Sequence, residues 1–167
     1  MDIFYTDFLN CLESLHDKIK LSIADLPQAG LDWSPKQGVG SPCMVISHIA
    51  GAERYWIAEV VGQEQAVRRA GTVYRVTGLD ANELCKRLEG SLSYCRKVLQ
   101  KFELTDLDIK RISPRDGQEV TVRWALLHVI EHTVNHQWDI NFTWQLWEKR
   151  IYSHAYNSKI DQQFLAV

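Results

Sequence analysis

No stretch of this chain approaches the ~18 consecutive apolar residues of a membrane-spanning helix, so no membrane partner is predicted. The opening segment, Met1-Asp-Ile-Phe-Tyr-Thr-Asp, carries neither a basic region nor an apolar run, and no signal peptide is expected from it. A surplus of charge is also missing. Nineteen Lys and Arg face 21 Asp and Glu, for a net charge of −2 and a pI near 6.3. A nucleic-acid-binding surface would be clearly basic, so nucleic acid is excluded as a partner. Cysteine is scarce: Cys11, Cys43, Cys85 and Cys95 form no CxxC pair. We read them as reduced thiols of a cytoplasmic protein, packing mostly as small hydrophobes. Repeats and low-complexity segments are absent, and alternating strand patterns nearly so.

What is present is an ordinary globular composition, with 46% hydrophobic and 24% charged residues over 167 positions. That length suits one domain, residues 1–167, large enough to bury a good core. Phe4, Phe8, Cys11, Leu12, Leu15 and Ile19 recur at helical steps and predict a first helix ending before Pro27 and Gly30. Residues 27–40 read as a loop, with Trp33 as an aromatic lid on the end of the fold. Ser41-Pro42 starts a second helix, with Ser as N-cap and Pro in the first turn. Its stripe is Val45, Ile49, Ala52, Trp56 and Val60, and His48 lies beside it. Gly51, costly in a helix by roughly 1 kcal/mol relative to Ala, hints at close packing or room for a ligand. Glu53, Arg54 and Glu59 are expected on a solvated face.

Residues 62–78 form a long connection holding Arg68, Arg69 and Arg75, with a short extended piece over 72–77. Asp80-Ala-Asn-Glu83 is a capping box opening a third helix, whose stripe runs Leu84, Leu88, Leu92, Cys95, Leu99, Phe102. A small hairpin is expected over 112–120 around Asp116-Gly117. Thr121 then caps a fourth helix running to about Glu148, with a short terminal helix as an option for the tail.

The fourth helix carries His128, His132 and His136, each about one turn from the next. With His128 at zero and roughly 100° per residue, His132 falls near 40° and His136 near 80°. Val122, Ala125, Val129, Ile140 and Trp147 fall between roughly 60° and 120° on the same wheel. His132 and His136 therefore interrupt an apolar stripe, while His128 lies at its edge. Imidazoles turned toward a core need partners, which are a neighbouring side chain or a metal ion. The pattern is not HExxH, because no Glu directly follows His128 or His132, and a metalloprotease helix is disfavoured. A third ligand would have to come from elsewhere in the chain.

Four amphipathic helices predict an all-α four-helix bundle with long connections. Metal sites in bundles are built from facing helices, so His48 can meet His132 and His136 in the core.

With Ser47-His48-Ile-Ala-Gly-Ala-Glu-Arg-Tyr-Trp56 and His128-Val-Ile-Glu-His132-Thr-Val-Asn-His136 in view, the chain resembles the DinB/YfiT-like superfamily. The helix order and long connections fit as well, so the resemblance covers most of the sequence. It implies a divalent metal held by His48, His132 and His136, with open positions for water or a thiolate. Zinc or nickel come first, with iron, cobalt or manganese as further candidates. It also implies a small-molecule thiol (mycothiol, bacillithiol or glutathione) and a small electrophile as substrates of an S-transferase, or of a related hydrolase. A non-catalytic metal-binding bundle acting in stress response or as an interaction module is the alternative. Where many members read H-R-G-Q, this chain has His136-Gln137-Trp138-Asp139. Asp139, one turn past His136, is a candidate acceptor that orients a ligand ring. His128 is an extra, either a proton shuttle or an edge residue. Leu126, Ile130, Val134 and Trp144 leave the histidine side of the helix and still need cover, which predicts a homodimer.

Overall fold

The computed structural model describes residues 1–65 and 76–164, with side chains described as far as Ile151. Among the described residues are five α-helices, a π-helical turn, a 3₁₀ turn at Leu104–Asp108 and one hairpin. Helix α1 spans Ile3–Ile23, with Asp2 as its N-cap, and a single turn, α2, spans Gln28–Leu31. Helix α3 spans Pro42–Arg54, with the Ser41 side chain accepting from the Met44 N–H at 3.3 Å. It runs directly into a π-helical turn, Tyr55–Val61. Helix α4 spans Ala81–Leu99 behind the Asp80/Glu83 capping box. A two-stranded antiparallel hairpin, β1 (Lys110–Ile112) and β2 (Glu119–Thr121), pairs Arg111 with Val120. Helix α5 then spans Val122–Phe164.

The four long helices form the bundle. α1 packs on α4 and α5, and α3 packs on α4 and α5, so the helices follow one another around the bundle as α1, α4, α3, α5. This places α3 and α5 side by side. The expected stripes are where the core is: Leu12, Ile19, Ile49, Leu84, Leu88, Leu99, Ala125, Val129 and Ile140 are all buried. Trp33 packs on Trp147 with ring centroids 5.7 Å apart, which is the lid expected at that end.

Several expectations are corrected. The fourth predicted helix does not stop near Glu148; it continues unbroken to Phe164, because the tail contains neither Pro nor Gly to end it. The second predicted helix leaves α geometry at Tyr55. The Gly62 N–H donates to the Ile57 carbonyl at 2.9 Å, a five-residue step, and six of the seven residues in that turn are buried. Cys11 is exposed rather than part of the α1 stripe, while Cys43 and Cys95 are buried as small hydrophobes. Gly51 answers to no close packing, since a methyl group there would meet nothing within 4 Å. The extended piece over 72–77 and the arginines at 68, 69 and 75 fall largely or wholly outside the described residues.

The largest correction is Glu53. Expected on a solvated face, it is 1% exposed and sits at the middle of the bundle. Its Oε1 accepts from Nε2 of His16 at 2.8 Å and from the Thr133 hydroxyl at 3.3 Å, and its Oε2 accepts from the Ser91 hydroxyl at 2.8 Å. One carboxylate thus joins all four helices. Four buried polar side chains meet there, so the buried charge is not left alone, although Nδ1 of His16 has no hydrogen-bond partner among the described residues. Arg54 beside it is exposed as expected, its guanidinium 4.3 Å from the centre of the Tyr94 ring.

Candidate metal centre

His48 is presented by α3, and His132 and His136 by successive turns of α5. Because the two helices are neighbours, the three rings converge. One ring nitrogen from each lies within 4.8 Å of the other two. Nε2 of His48 is 3.1 Å from Nε2 of His132, and the His132 and His136 centroids are 4.5 Å apart. All three side chains are half-buried.

The electrostatics favour the neutral form of two of these rings, His48 and His132. Burial, then the charges of His136 and Arg115, hold His48 below the ordinary histidine range. His132 is pushed down to about 4, first by burial and then by His136, His48, His128 and Arg115. A neutral imidazole keeps the lone pair that binds a metal. His136 is oriented from behind: its Nδ1 lies 2.9 Å from Oδ2 of Asp139. A carboxylate can only accept, so Nδ1 carries the proton and the lone pair is on Nε2.

These residues fit a divalent ion. Imidazole nitrogens 2.0–2.1 Å from a tetrahedral zinc would stand about 3.3 Å apart, near the 3.1 Å separation of His48 and His132. Without an ion, one Nε2–H can donate to the other Nε2 at this distance; with one, both lone pairs can turn to the metal. No other group of three or more His, Cys, Asp or Glu side chains close enough to hold an ion occurs among the described residues.

His128 does not join this group. Its ring stacks on Trp124 at 4.8 Å and 10°, meets the Trp56 ring edge-on at 4.8 Å, and stands 5.9 Å from the His132 ring. The side chain of His154 lies outside the described residues. A cavity of about 660 Å³ between the end of α1 and α5 is lined by Leu21, Trp138, Trp144 and Trp147 among others and shares no residue with the histidine group.

A family described as mycothiol-S-transferase matches residues 7–141. The chain belongs to this family. The match includes all three site histidines. Among solved structures, a conserved protein from Enterococcus faecalis superimposes with a TM-score of 0.73 at 15% identity, covering 87% of this chain and 97% of that one. YfiT from Bacillus subtilis, described as a probable metal-dependent hydrolase with an unusual four-helix bundle topology, gives a TM-score of 0.68 at 12% identity, covering 89% and 90%. At such identities these neighbours establish the fold, which is that of the DinB/YfiT-like bundles. Among curated proteins no match is found. Family membership and the three-imidazole group together support a divalent metal in this mycothiol-S-transferase relative.

Sequence reasoning found the three histidines and Asp139 but missed two features of the surroundings. Glu53 was hidden because a single acidic residue between Ala52 and Arg54 looks solvated from periodicity alone. Arg115 was hidden because its stacking on Tyr55 depends on how the hairpin folds back.

Proposed function

We propose that this chain is a metal-dependent enzyme that transfers a small-molecule thiol to a small electrophile. His48, His132 and His136 hold the ion, and Asp139 keeps the His136 ring in the tautomer that binds. The observation that carries the reading is the convergence of three ring nitrogens within 4.8 Å from two helices. The metal, when bound, lowers the thiol pKa and holds the thiolate as a nucleophile. The three rings are only half-buried, so an ion held by them would be within reach of a thiol and an electrophile from solvent. Mycothiol, bacillithiol and glutathione are the thiols to test, and zinc or nickel the first metals.

The same centre could activate water, giving a hydrolase, and a bundle that binds metal without catalysis is the reading that must be excluded. Metal analysis of untagged protein comes first, expected at one ion per chain. A screen of the three thiols against electrophilic acceptors follows. Thiol consumption dependent on the metal supports the transferase, consumption of acceptor without thiol supports the hydrolase, and neither supports the non-catalytic bundle.

We further propose that the protein works in the cytoplasm as a homodimer. No described helix is long and apolar enough to cross a membrane. The dimer face differs from the expected one: Leu126 is buried in the core, and Ile130, Val134 and Trp144 are already half-covered. The most exposed apolar side chains described on α5 are Leu127, Trp138 and Phe142, each at least 60% exposed, and Trp124 lies on the same side of the helix. On the helical wheel these four fall within roughly 60° of one another.

A further inference from the structure

The cavity between the end of α1 and α5 carries Trp138, Trp144 and Trp147 on its α5 side, with Leu26 and Pro27 on the side of the segment that follows α1. Its volume, about 660 Å³, is that of a small-molecule pocket. The two sides are tied together, since the Ser22 hydroxyl on α1 donates to Oδ1 of Asn141 on α5 at 2.6 Å. The Trp147 ring is also held in place. It meets the Trp33 ring at 5.7 Å, and a methyl group at Gly30 would come within 3.1 Å of its indole atoms. Glycine at position 30 therefore gives this ring its room.

The charge lining the cavity has one sign. Asp25 and Glu148 are among the lining residues, and no Lys, Arg or His is. Neither carboxylate enters an ion pair among the described residues. The neighbouring cation, Arg150, is engaged by aromatic rings instead. Its guanidinium carbon lies 5.7 Å from the centre of the Trp33 ring and 6.0 Å from that of Trp147. An indole presents a negative face, so tryptophan attracts positive charge just as a carboxylate does. Apolar rings with negative faces and two unpaired carboxylates together favour a molecule with a flat apolar body and a positive nitrogen. An anion of the same shape is repelled.

We propose that this cavity is a second binding site, for a small organic cation with a flat apolar body. It shares no residue with the histidine group and does not rest on the metal reading. Of the exposed side chains Leu127, Trp138 and Phe142, only Trp138 lines it. The body of the ligand lies among the tryptophans, and its charge is drawn to Asp25 and Glu148.

The test uses the full-length protein and three probes that share an indole body. N,N,N-trimethyltryptammonium has a fixed positive charge and no amine lone pair to offer a metal ion. Its binding is measured by isothermal titration calorimetry at neutral pH. Neutral 3-ethylindole and anionic indole-3-propionate are then measured by how well they displace it. The cation is expected to bind about tenfold tighter than 3-ethylindole, and the anion more weakly than either. The double variant Asp25→Asn/Glu148→Gln keeps the shape of the cavity and removes both charges. In it the preference for the cation over 3-ethylindole is expected to fall at least threefold, with 3-ethylindole affinity unchanged. Wild-type protein that does not bind the cation at millimolar concentration overturns the proposal, as does an anion that competes as well as the cation binds. A preference that falls by less than threefold in the double variant overturns it too. The comparison of the three probes on wild type decides even where the double variant fails to fold.

Discussion

Oε1 of Glu53 lies 2.8 Å from Nε2 of His16, and each side chain is 1% exposed. The two residues belong to α1 and α3, which stand across the diagonal of the bundle, and the same carboxylate also serves α4 through Ser91 and α5 through Thr133. Truncating Glu53 strands three buried polar groups at once. We predict that Glu53→Ala costs about 3 kcal/mol or more, seen as a lower urea midpoint in metal-free protein. Glu53→Gln should cost less, since its oxygen still accepts from one hydroxyl and its amide can donate to Ser91, whose own hydroxyl also reaches the Ala50 carbonyl. Equal stability of Glu53→Ala and wild type would refute a stabilising role for this group.

The histidines divide into two classes. Metal content is expected to fall strongly in His48→Ala, His132→Ala and His136→Ala, because two imidazoles hold an ion poorly. His128→Ala should keep about one ion per chain, since that ring is packed between Trp124 and Trp56. Elemental analysis of the four purified variants decides; loss of metal in His128→Ala with retention in His136→Ala would mean the ligand set is misassigned.

Asp139 holds His136 from behind at 2.9 Å. Asp139→Asn can still accept from Nδ1 but without charge, and we expect metal affinity to drop by roughly 10- to 100-fold with stoichiometry retained at high metal. A competition titration against a chromophoric chelator measures this, and unchanged affinity would reduce the contact to a surface pair.

Acid should weaken the metal-free protein through His132. Its pKa falls from 6.5 to about 4 on folding. Between those values the unfolded chain binds the proton and the folded one does not, so stability declines as pH falls through that window. His48 shifts in the same direction and adds to the loss. Urea midpoints at several pH values between 7 and 4 should fall less steeply for His132→Gln than for wild type; parallel curves would contradict the assignment.

The apolar face of α5 offers a test of assembly. Trp138 is 68% exposed and Phe142 60%, so a charge at either position should cost the monomer little. Trp138→Glu or Phe142→Glu is expected to convert a dimer into a monomer in light scattering at micromolar concentration. Wild-type protein that is already monomeric would remove the dimer.

Periodicity made most of this bundle legible. The Ser41-Pro42 start, the Asp80/Glu83 capping box, the hairpin and the buried arc of α5 are local signals, each written in a few adjacent residues. His132 and His136 were legible for the same reason: their relation is one helical turn. Glu53 was not, since its burial is decided by three other helices, each far away in sequence. The π-helical turn at Tyr55 was equally hidden. A run of Tyr-Trp-Ile-Ala-Glu-Val-Val reads as ordinary helix until its neighbours on all sides claim it. Leu126 was assigned to the wrong face because a wheel centred on one stripe does not reveal how wide the contact with the bundle is.

The three imidazoles also differ in when they can meet. His132 and His136 are brought together as soon as one turn of α5 forms, a step on the microsecond scale or faster. His48 lies 84 residues away from His132 along the chain, and its arrival requires the two halves of the molecule to collapse onto each other. The pair on α5 can therefore catch an ion loosely before the bundle closes. The third ring would then act as a latch, so that the ion, once gripped, fastens α3 to α5 and slows their parting. Such a protein would resist unfolding in time more than its equilibrium stability suggests.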